Sequence, residues 1–191
     1  MNLLAHAVLS PDSERVRVGN VVADFIPRNQ VEHLDPDLKR GVELHQRIDR
    51  FTDSHPIVQR SHNRLTGFKR FANPLVDVFY DHFLTLHWRK EVPLNTYVDR
   101  LNQDIEQSYP GLPDECVAVS RRMIEQGWMR QYGEFEGLEK NLGRMERRIE
   151  WRTNRTVDLV GALKILKDDY AGFEQDFLEF WPQLVDHAKG N

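Results

Sequence analysis

Histidine and aspartate side chains are concentrated in the first half of this 191-residue chain, and seven of its eight histidines precede residue 88. Imidazole nitrogens and carboxylate oxygens together suit Mn²⁺, Mg²⁺ or Fe²⁺ better than metals that prefer thiolates. A bound divalent ion would polarise a phosphoryl oxygen and lower the pKa of a water molecule. The composition of these clusters therefore favours a metal-dependent phosphohydrolase.

Two pairs of these side chains have helical spacing. His45 and Asp49 are four residues apart, and so are Asp77 and Asp81, which puts each pair on one face of a helix. The neighbours of Asp77 and Asp81 are apolar, so in a core these carboxylates would repel each other and lose hydration unless a cation lay between them. We predict that His45, Asp77 and Asp81 bind the metal. A structural pair of His45 and Asp49, beside the arginines of the same helix, is the alternative.

Two further polar residues stand alone in apolar segments. Asp24 has no basic residue within three positions, and His6 lies in the apolar N-terminal segment, so each needs a partner from elsewhere in the fold. We predict Asp24 as a fourth metal ligand, and His6, Asp49 and His82 as catalytic acid–base residues. The structural alternatives are a helix cap or buried ion pair for Asp24 and a hydrogen-bonded core position for His6.

Arginines near these clusters are candidate substrate-binding residues. The guanidinium fork matches phosphate oxygens, so Arg47 and Arg50 could bind a phosphate, or they could pair with acids of their own helix. Residues 144–155 contain five arginines and two glutamates in a chain of net charge −4. Such a basic patch could attract an acidic partner, and Arg147 and Arg148 at its centre are predicted to contact it, unless this helix face is only solvated.

The elements that carry these residues are predicted to be helices. Asp35 before Pro36 is typical of an N-cap residue with proline in the first turn, and Asn73 before Pro74 repeats the pattern. Apolar residues at helical spacing follow both starts. The two spaced pairs therefore lie on two different helices that can meet in the fold.

Other boundaries are marked by proline and glycine. After the Ser54–His55–Pro56 break we predict a helix over residues 57–71, and a last long helix over residues 157–180 that ends before Pro182. The one segment that could be a strand is 15–22, where valines alternate with arginines, but it is too short and isolated to define a sheet.

Bulk composition predicts one all-α domain of about eight helices over residues 1–191, since 40% hydrophobic residues suit a single core at this length. The lone cysteine, Cys116, cannot form an internal disulfide, so we expect the cytoplasm. Residues 1–9 are apolar but short and are expected to form a core helix, not a signal peptide or membrane anchor. The net charge gives no reason to expect nucleic-acid binding.

Four motifs in residues 1–88 carry a family resemblance: Asn2-Leu-Leu-Ala-His6, Gly19-Asn20-Val-Val-Ala-Asp24-Phe25, His45-Gln-Arg-Ile-Asp49-Arg-Phe-Thr-Asp53-Ser-His55-Pro56 and Asp77-Val-Phe-Tyr-Asp81-His82. In this order they resemble the acyl carrier protein phosphodiesterases, which are also called acyl carrier protein hydrolases. The resemblance extends over the whole chain in length and motif order, and its specific part is residues 1–88.

The resemblance implies hydrolysis of the phosphodiester that joins 4′-phosphopantetheine to a serine of holo acyl carrier protein, which leaves the apo protein. It also implies a divalent ion, Mn²⁺ before Mg²⁺ or Fe²⁺, and a fold related to HD phosphohydrolases. In HD domains the acid follows the histidine directly, whereas Asp81–His82 has the opposite order. The alternatives are an HD-type phosphohydrolase acting on a nucleotide or small phosphoester, and a non-catalytic module that binds the carrier protein.

Overall fold

The structure, a computed structural model, describes residues 1–190, and these residues form α-helices and short 3-10 turns with no strand. The α-helices are α1 (Leu3–Val8), α2 (Glu14–Val22), α3 (Pro36–Ser54), α4 (Pro56–Arg64), α5 (Ala72–Leu86), α6 (Leu94–Ser108), α7 (Asp114–Glu125), α8 (Phe135–Thr153), α9 (Ala162–Asp168) and α10 (Tyr170–Ala188). The prediction of an all-α fold is confirmed, with ten α-helices over residues 1–190 where about eight were expected. The relation to HD domains and the single-domain organisation stay predictions.

Helix α2 occupies the segment whose valine–arginine alternation allowed a strand, and that possibility is therefore excluded. Val18, Val21 and Val22 are buried at helical spacing. Burial of this apolar face favours a helix more strongly than the valine–arginine alternation, which extends over only four residues, favours a strand. Helix α2 packs closely on α3, because a Cβ on Gly19 would collide with the carbonyl of Leu38. This close approach sets the distance between the last turn of α2 and the middle of α3.

The start of α3 agrees with the sequence. The Asp35 carboxylate accepts the N–H groups of Asp37 and Leu38, both at 3.1 Å, and Pro36 is the first helical residue. Asn73 differs, since α5 already begins at Ala72 and no side chain caps it. The predicted cap at Asn73 is therefore wrong, because α5 begins two residues earlier than this cap implies.

Two predicted helices are interrupted. The helix expected over residues 57–71 ends at Arg64 and is followed by a 3-10 turn, Thr66–Phe71. The helix expected over 157–180 breaks at Asp169, which leaves helical geometry to pair with Arg64. Pro182 lies inside α10 and does not end it, because Leu184 and Ala188 beyond the proline are buried and keep the last turns on the core.

Helix α5 lies at the centre of the core. Val76, Phe79, Tyr80 and Phe83 are at most 1% exposed, and the helix contacts α1, α4, α8 and α10. Its position explains why the sequence of α5 is apolar around nearly the whole circumference. None of the helices in residues 1–190 is both long and apolar enough to cross a membrane.

Candidate metal centre

Three α-helices and one 3-10 turn bring polar side chains together at one place in this core. Helix α1 supplies His6, α3 supplies His45 and Asp49, and α5 supplies Asp77. The 3-10 turn Ala23–Phe25 that follows α2 supplies Asp24. The structure therefore brings together five of the residues that the sequence selected.

His6, His45 and Asp49 form the tightest part, since one ligand atom from each lies within 4.8 Å of the others. Nε2 of His6 is 3.2 Å from Oδ1 of Asp49, and Nε2 of His45 is 3.1 Å from Oδ2 of the same carboxylate. The two imidazole rings stack with centroids 4.0 Å apart. His6 and His45 are buried, whereas the Asp49 side chain is 35% exposed. The group has the composition of a metal site that solvent can reach from one side.

Asn20, on α2, determines which nitrogen of each ring faces this group. Its Nδ2 donates to the carbonyl of His6 at 2.8 Å and to Oγ of Ser10 at 2.9 Å, so its Oδ1 is an acceptor. Nδ1 of His6 donates to that Oδ1 at 2.8 Å, and Nδ1 of His45 donates to the backbone carbonyl of Asn20 at 2.9 Å. A neutral imidazole with the proton on Nδ1 carries its lone pair on Nε2. Both histidines are thus oriented to present Nε2 as a ligand atom.

The atoms around Nε2 of His6 are all acceptors when that ring is neutral. Besides Asp49, the carbonyl of Met1 lies 3.1 Å away. Nε2 of His45 is buried and, among the described residues, has no partner in hydrogen-bonding geometry. Around Nε2 of His6 the converging lone pairs repel one another, and a cation removes that repulsion. These residues therefore fit a divalent ion.

A positive charge already lies beside this group. The α-ammonium of Met1, with a fully buried side chain, is 3.0 Å from Oδ1 of Asp49 and 3.0 Å from Oδ1 of Asp77. Burial raises the pKa of Asp77 to about 6, although the ammonium lowers it. The acids of α3 and α5 thus face a common space in which the fold places a cation.

The pKa values of the two histidines are shifted in opposite directions. Burial, and then the charge of His45, lower the pKa of His6 to about 4. Burial also lowers the pKa of His45, but the adjacent carboxylates of Asp24 and Asp49 outweigh it and raise that pKa to about 10. The His45 ring holds the pKa of Asp24 below its usual value. A cation at Nε2 of His45 must therefore displace a proton, so its affinity depends on pH.

Asp81 and His82 are placed outside this cluster. The carboxylate of Asp81 accepts the N–H groups of Leu4 at 2.8 Å and Ala5 at 3.1 Å, which satisfies the first turn of α1. Burial raises its pKa to about 7. Nδ1 of His82 bonds the carbonyl of Tyr132 at 2.7 Å, and its Nε2 bonds the Tyr170 hydroxyl at 2.8 Å. The observed contacts of both residues are thus those of residues that hold helices together.

The four selected arginines lie in two places. Arg47 donates to the carbonyl of Ala188 at 3.1 Å, and Arg50 lines the same cavity, away from the cluster. Arg147 and Arg148 line a different cavity of about 510 Å³ along α8. Arg148 also donates to the carbonyl of Asp24 at 3.3 Å, so α8 adjoins the cluster directly.

Sequence reasoning missed the part of Asn20. The available signal was a polar amide side chain in an otherwise apolar segment, between Gly19 and Val21. Asn20 is fully buried there, and a buried polar side chain requires hydrogen-bond partners. The partners themselves lie on α1 and α3, and no sequence spacing relates them to Asn20.

The chain is similar in sequence to proteins of one known family. The model of the family described as acyl carrier protein phosphodiesterase matches residues 1–184. Curated proteins of that name from Photorhabdus laumondii and Pectobacterium atrosepticum are 30% and 29% identical over 193 residues, covering 99% of this chain and 96% and 98% of those proteins. The protein of that name from Escherichia coli O157:H7 is 29% identical over 98% of this chain and 97% of its own length. No solved structure matches the chain. The chain belongs to the acyl carrier protein phosphodiesterase family.

Proposed function

We propose that this protein hydrolyses the phosphodiester between 4′-phosphopantetheine and a serine of holo acyl carrier protein, with a divalent cation held by His6, His45 and Asp49. The observation that carries the proposal is the convergence of two Nε2 atoms on one carboxylate, with His45 Nε2 buried and unpartnered among the described residues. The curated relatives are named acyl carrier protein phosphodiesterases, and this name supports the substrate class.

The residues of the chain have separate parts in the reaction. Asn20 holds the two histidines with Nε2 toward the cation, and Asp77 adds negative charge from the buried side. Asp24, whose side chain is 73% exposed, lies on the solvent side, 3.4 Å from His45. When bound, the cation, for which we propose Mn²⁺ before Mg²⁺ or Fe²⁺, would polarise a phosphoryl oxygen and lower the pKa of water.

Hydrolysis joins a water oxygen to phosphorus and releases the serine oxygen, which must gain a proton. Asp24 is the carboxylate of this cluster that an incoming phosphodiester meets first, because its side chain is the most exposed. We assign to Asp24 the acceptance of a proton from water and its return to the serine oxygen.

The carrier protein is proposed to dock along α8. The cavity there is lined by five arginines and a single acid, Glu115. None of these arginines pairs with a carboxylate within residues 1–190, and Trp151 beside them is 85% exposed. Unpaired cations around an exposed aromatic side chain suit an acidic protein surface. Because Arg148 contacts Asp24, a partner docked here has its phosphodiester within reach of the cluster.

The test is the mass of purified holo acyl carrier protein after incubation with this protein and Mn²⁺, with and without a chelator. We expect loss of a phosphopantetheine-sized fragment that requires the metal and the wild-type chain. The His45→Ala and Asp49→Asn variants should lose nearly all activity and Mn²⁺ binding, whereas His33→Ala, an exposed histidine outside the cluster, should retain both.

An unchanged carrier protein despite bound Mn²⁺ would overturn the substrate and leave nucleotides or small phosphoesters as the alternative. Full activity in the presence of chelator, or in His45→Ala, would overturn the metal centre.

A further inference from the structure

A large cavity lies on the other side of α3 from the metal centre. It has a volume of about 1180 Å³ and runs between α3, α10, the end of α5 and the segment that joins α1 to α2. We call it the α3–α10 cleft. Its volume is large enough for a small-molecule ligand, and the reaction proposed above does not involve it.

Helix geometry separates the two sites. Arg47 lines the cleft, and His45 and Asp49 belong to the metal centre. At 3.6 residues per turn, the direction of Arg47 differs from that of each of them by about 160° around the axis of α3. A helix is roughly 10 Å across with its side chains, so the cleft and the cluster are separated by the body of α3. A ligand in the cleft would therefore not contact the metal ligands.

The wall of the cleft is apolar. It includes side chains from three helices: Leu44, Leu84, Phe177, Leu178, Trp181 and Val185. Leu178 is 43% exposed, which makes it one of only three large apolar side chains in residues 1–190 with that degree of exposure. Exposed apolar surface next to a concavity marks a place where an apolar group can be buried.

The rim of the cleft is basic. Six cationic side chains line it, against one acid, Glu43: Arg40, Arg47, Arg50, Arg89, Lys90 and Lys189. Arg40 pairs with Asp37, but Arg50 and Arg89 have no carboxylate partner within residues 1–190. In a chain of net charge −4, this local excess of cations favours an anionic group at the mouth.

We propose that the α3–α10 cleft binds an unesterified medium- or long-chain fatty acid, with its chain against the apolar wall and its carboxylate among the arginines of the rim. An apolar wall with charge at one edge matches a ligand that has one anionic end, and guanidinium groups bind carboxylates through paired hydrogen bonds. A docked acidic helix would instead place charges along its length. The proposal does not depend on the reaction at the metal centre.

The test is calorimetric titration of the full-length protein with dodecanoate below its micellar concentration. Two comparison molecules are titrated in the same way: acetate, which has the carboxylate without the long chain, and dodecanol, which has the chain without the carboxylate. We expect saturable binding of one dodecanoate per chain and at least tenfold weaker binding of both comparison molecules. Equal binding of dodecanol or of acetate would overturn the amphipathic site, and so would the absence of saturable dodecanoate binding.

Variants locate the site. Leu178→Asp and the double variant Arg50→Glu/Arg89→Glu should each weaken dodecanoate binding at least tenfold, and Arg100→Glu, which lines a different cavity, should leave it unchanged. All of these side chains are at the surface, so circular dichroism should show an intact fold. Unaltered binding in both cleft variants would overturn the assignment to this cleft. Binding to vesicles of anionic phospholipid in place of dodecanoate would overturn the ligand class.

Discussion

At the scale of single residues, the two histidines of the candidate metal centre depend on one asparagine in different ways. His6 is held by the side chain of Asn20, whereas His45 is held by its backbone carbonyl. A substitution at position 20 therefore removes one of these hydrogen bonds and retains the other. This difference allows the positioning of a ligand to be separated from the folding of the chain.

We expect Asn20→Ala to remove the hydrogen bond that keeps the proton of His6 on Nδ1, whereas His45 keeps its bond to the backbone carbonyl of residue 20. Mn²⁺ binding should weaken roughly 10- to 100-fold, as is typical when a partner that orients a metal ligand is lost. Nitrogen-15 chemical shifts of the imidazoles and Mn²⁺ titration of the same samples measure both effects. Ser10→Ala is the matched control, since Ser10 bonds Asn20 but neither imidazole. Unchanged affinity in folded Asn20→Ala would contradict the positioning role.

His82 provides a second prediction at this scale, concerning pH. Burial lowers its pKa from the ordinary value of 6.5, so the folded protein resists protonation of this ring. As pH falls through that ordinary value, the unfolded chain takes up a proton that the folded chain does not, and the free energy of unfolding decreases. His82→Gln should reduce this decrease by up to about 1.4 kcal/mol per pH unit.

Urea unfolding at about pH 7 and about pH 5 measures the difference for wild type and variant. The exposed His33→Gln variant is the control and should show the wild-type dependence. An identical pH dependence in His82→Gln would show that this ring is not a source of acid sensitivity.

At the scale of elements, the contact of α2 with α3 positions the site. A Cβ on Gly41 would lie 2.6 Å from the backbone nitrogen of Asn20. Gly41→Ala must push the helices apart, which costs about 1–3 kcal/mol of stability and moves the Asn20 carbonyl away from His45. Thermal unfolding and Mn²⁺ titration should show both losses. Gly67→Ala, where a Cβ meets nothing within 4 Å, should show neither.

The helix ends show why some element boundaries were predictable. Asp35 and Pro36 act on their own first turn, so the cap of α3 could be inferred from two adjacent residues. The break between α9 and α10 depends on Arg64, more than a hundred residues away from its partner Asp169. Pro182 continues α10 because distant core contacts offset the lost hydrogen bond. A local signal thus marked the start of α3, whereas tertiary contacts accompany the features of α9 and α10 that the sequence did not predict.

At the scale of the whole molecule, charge is distributed unevenly over an acidic chain. The row of arginines along α8 adjoins Asp24, and Arg147 is exposed within it. Arg147→Glu should raise the KM for holo acyl carrier protein about tenfold at low salt with little change in kcat, because it opposes docking and leaves the cluster intact. The dependence of KM on ionic strength should become shallower.

Arg155→Glu carries the same change in charge in the same basic segment but does not line the α8 cavity. It should leave KM within twofold of wild type, a difference of about 0.4 kcal/mol. An equal increase in both variants would indicate a general effect of net charge and no docking surface on α8.

The sequence by itself determined the all-α class and the start of α3, and it selected Asp24, His45, Asp49 and Asp77, which the structure brings together, because helical spacing and isolated acids in apolar segments are local properties. Only the tertiary structure separated Asp81 from the cluster, since its partners are N–H groups of α1 seventy-six and seventy-seven positions away. The tertiary structure also showed that Asn20 orients both histidines, and it placed Arg47 on the face of α3 that points away from the cluster. Which groups share a proton or face a cation depends on distances between elements, and no spacing along the chain encodes those distances.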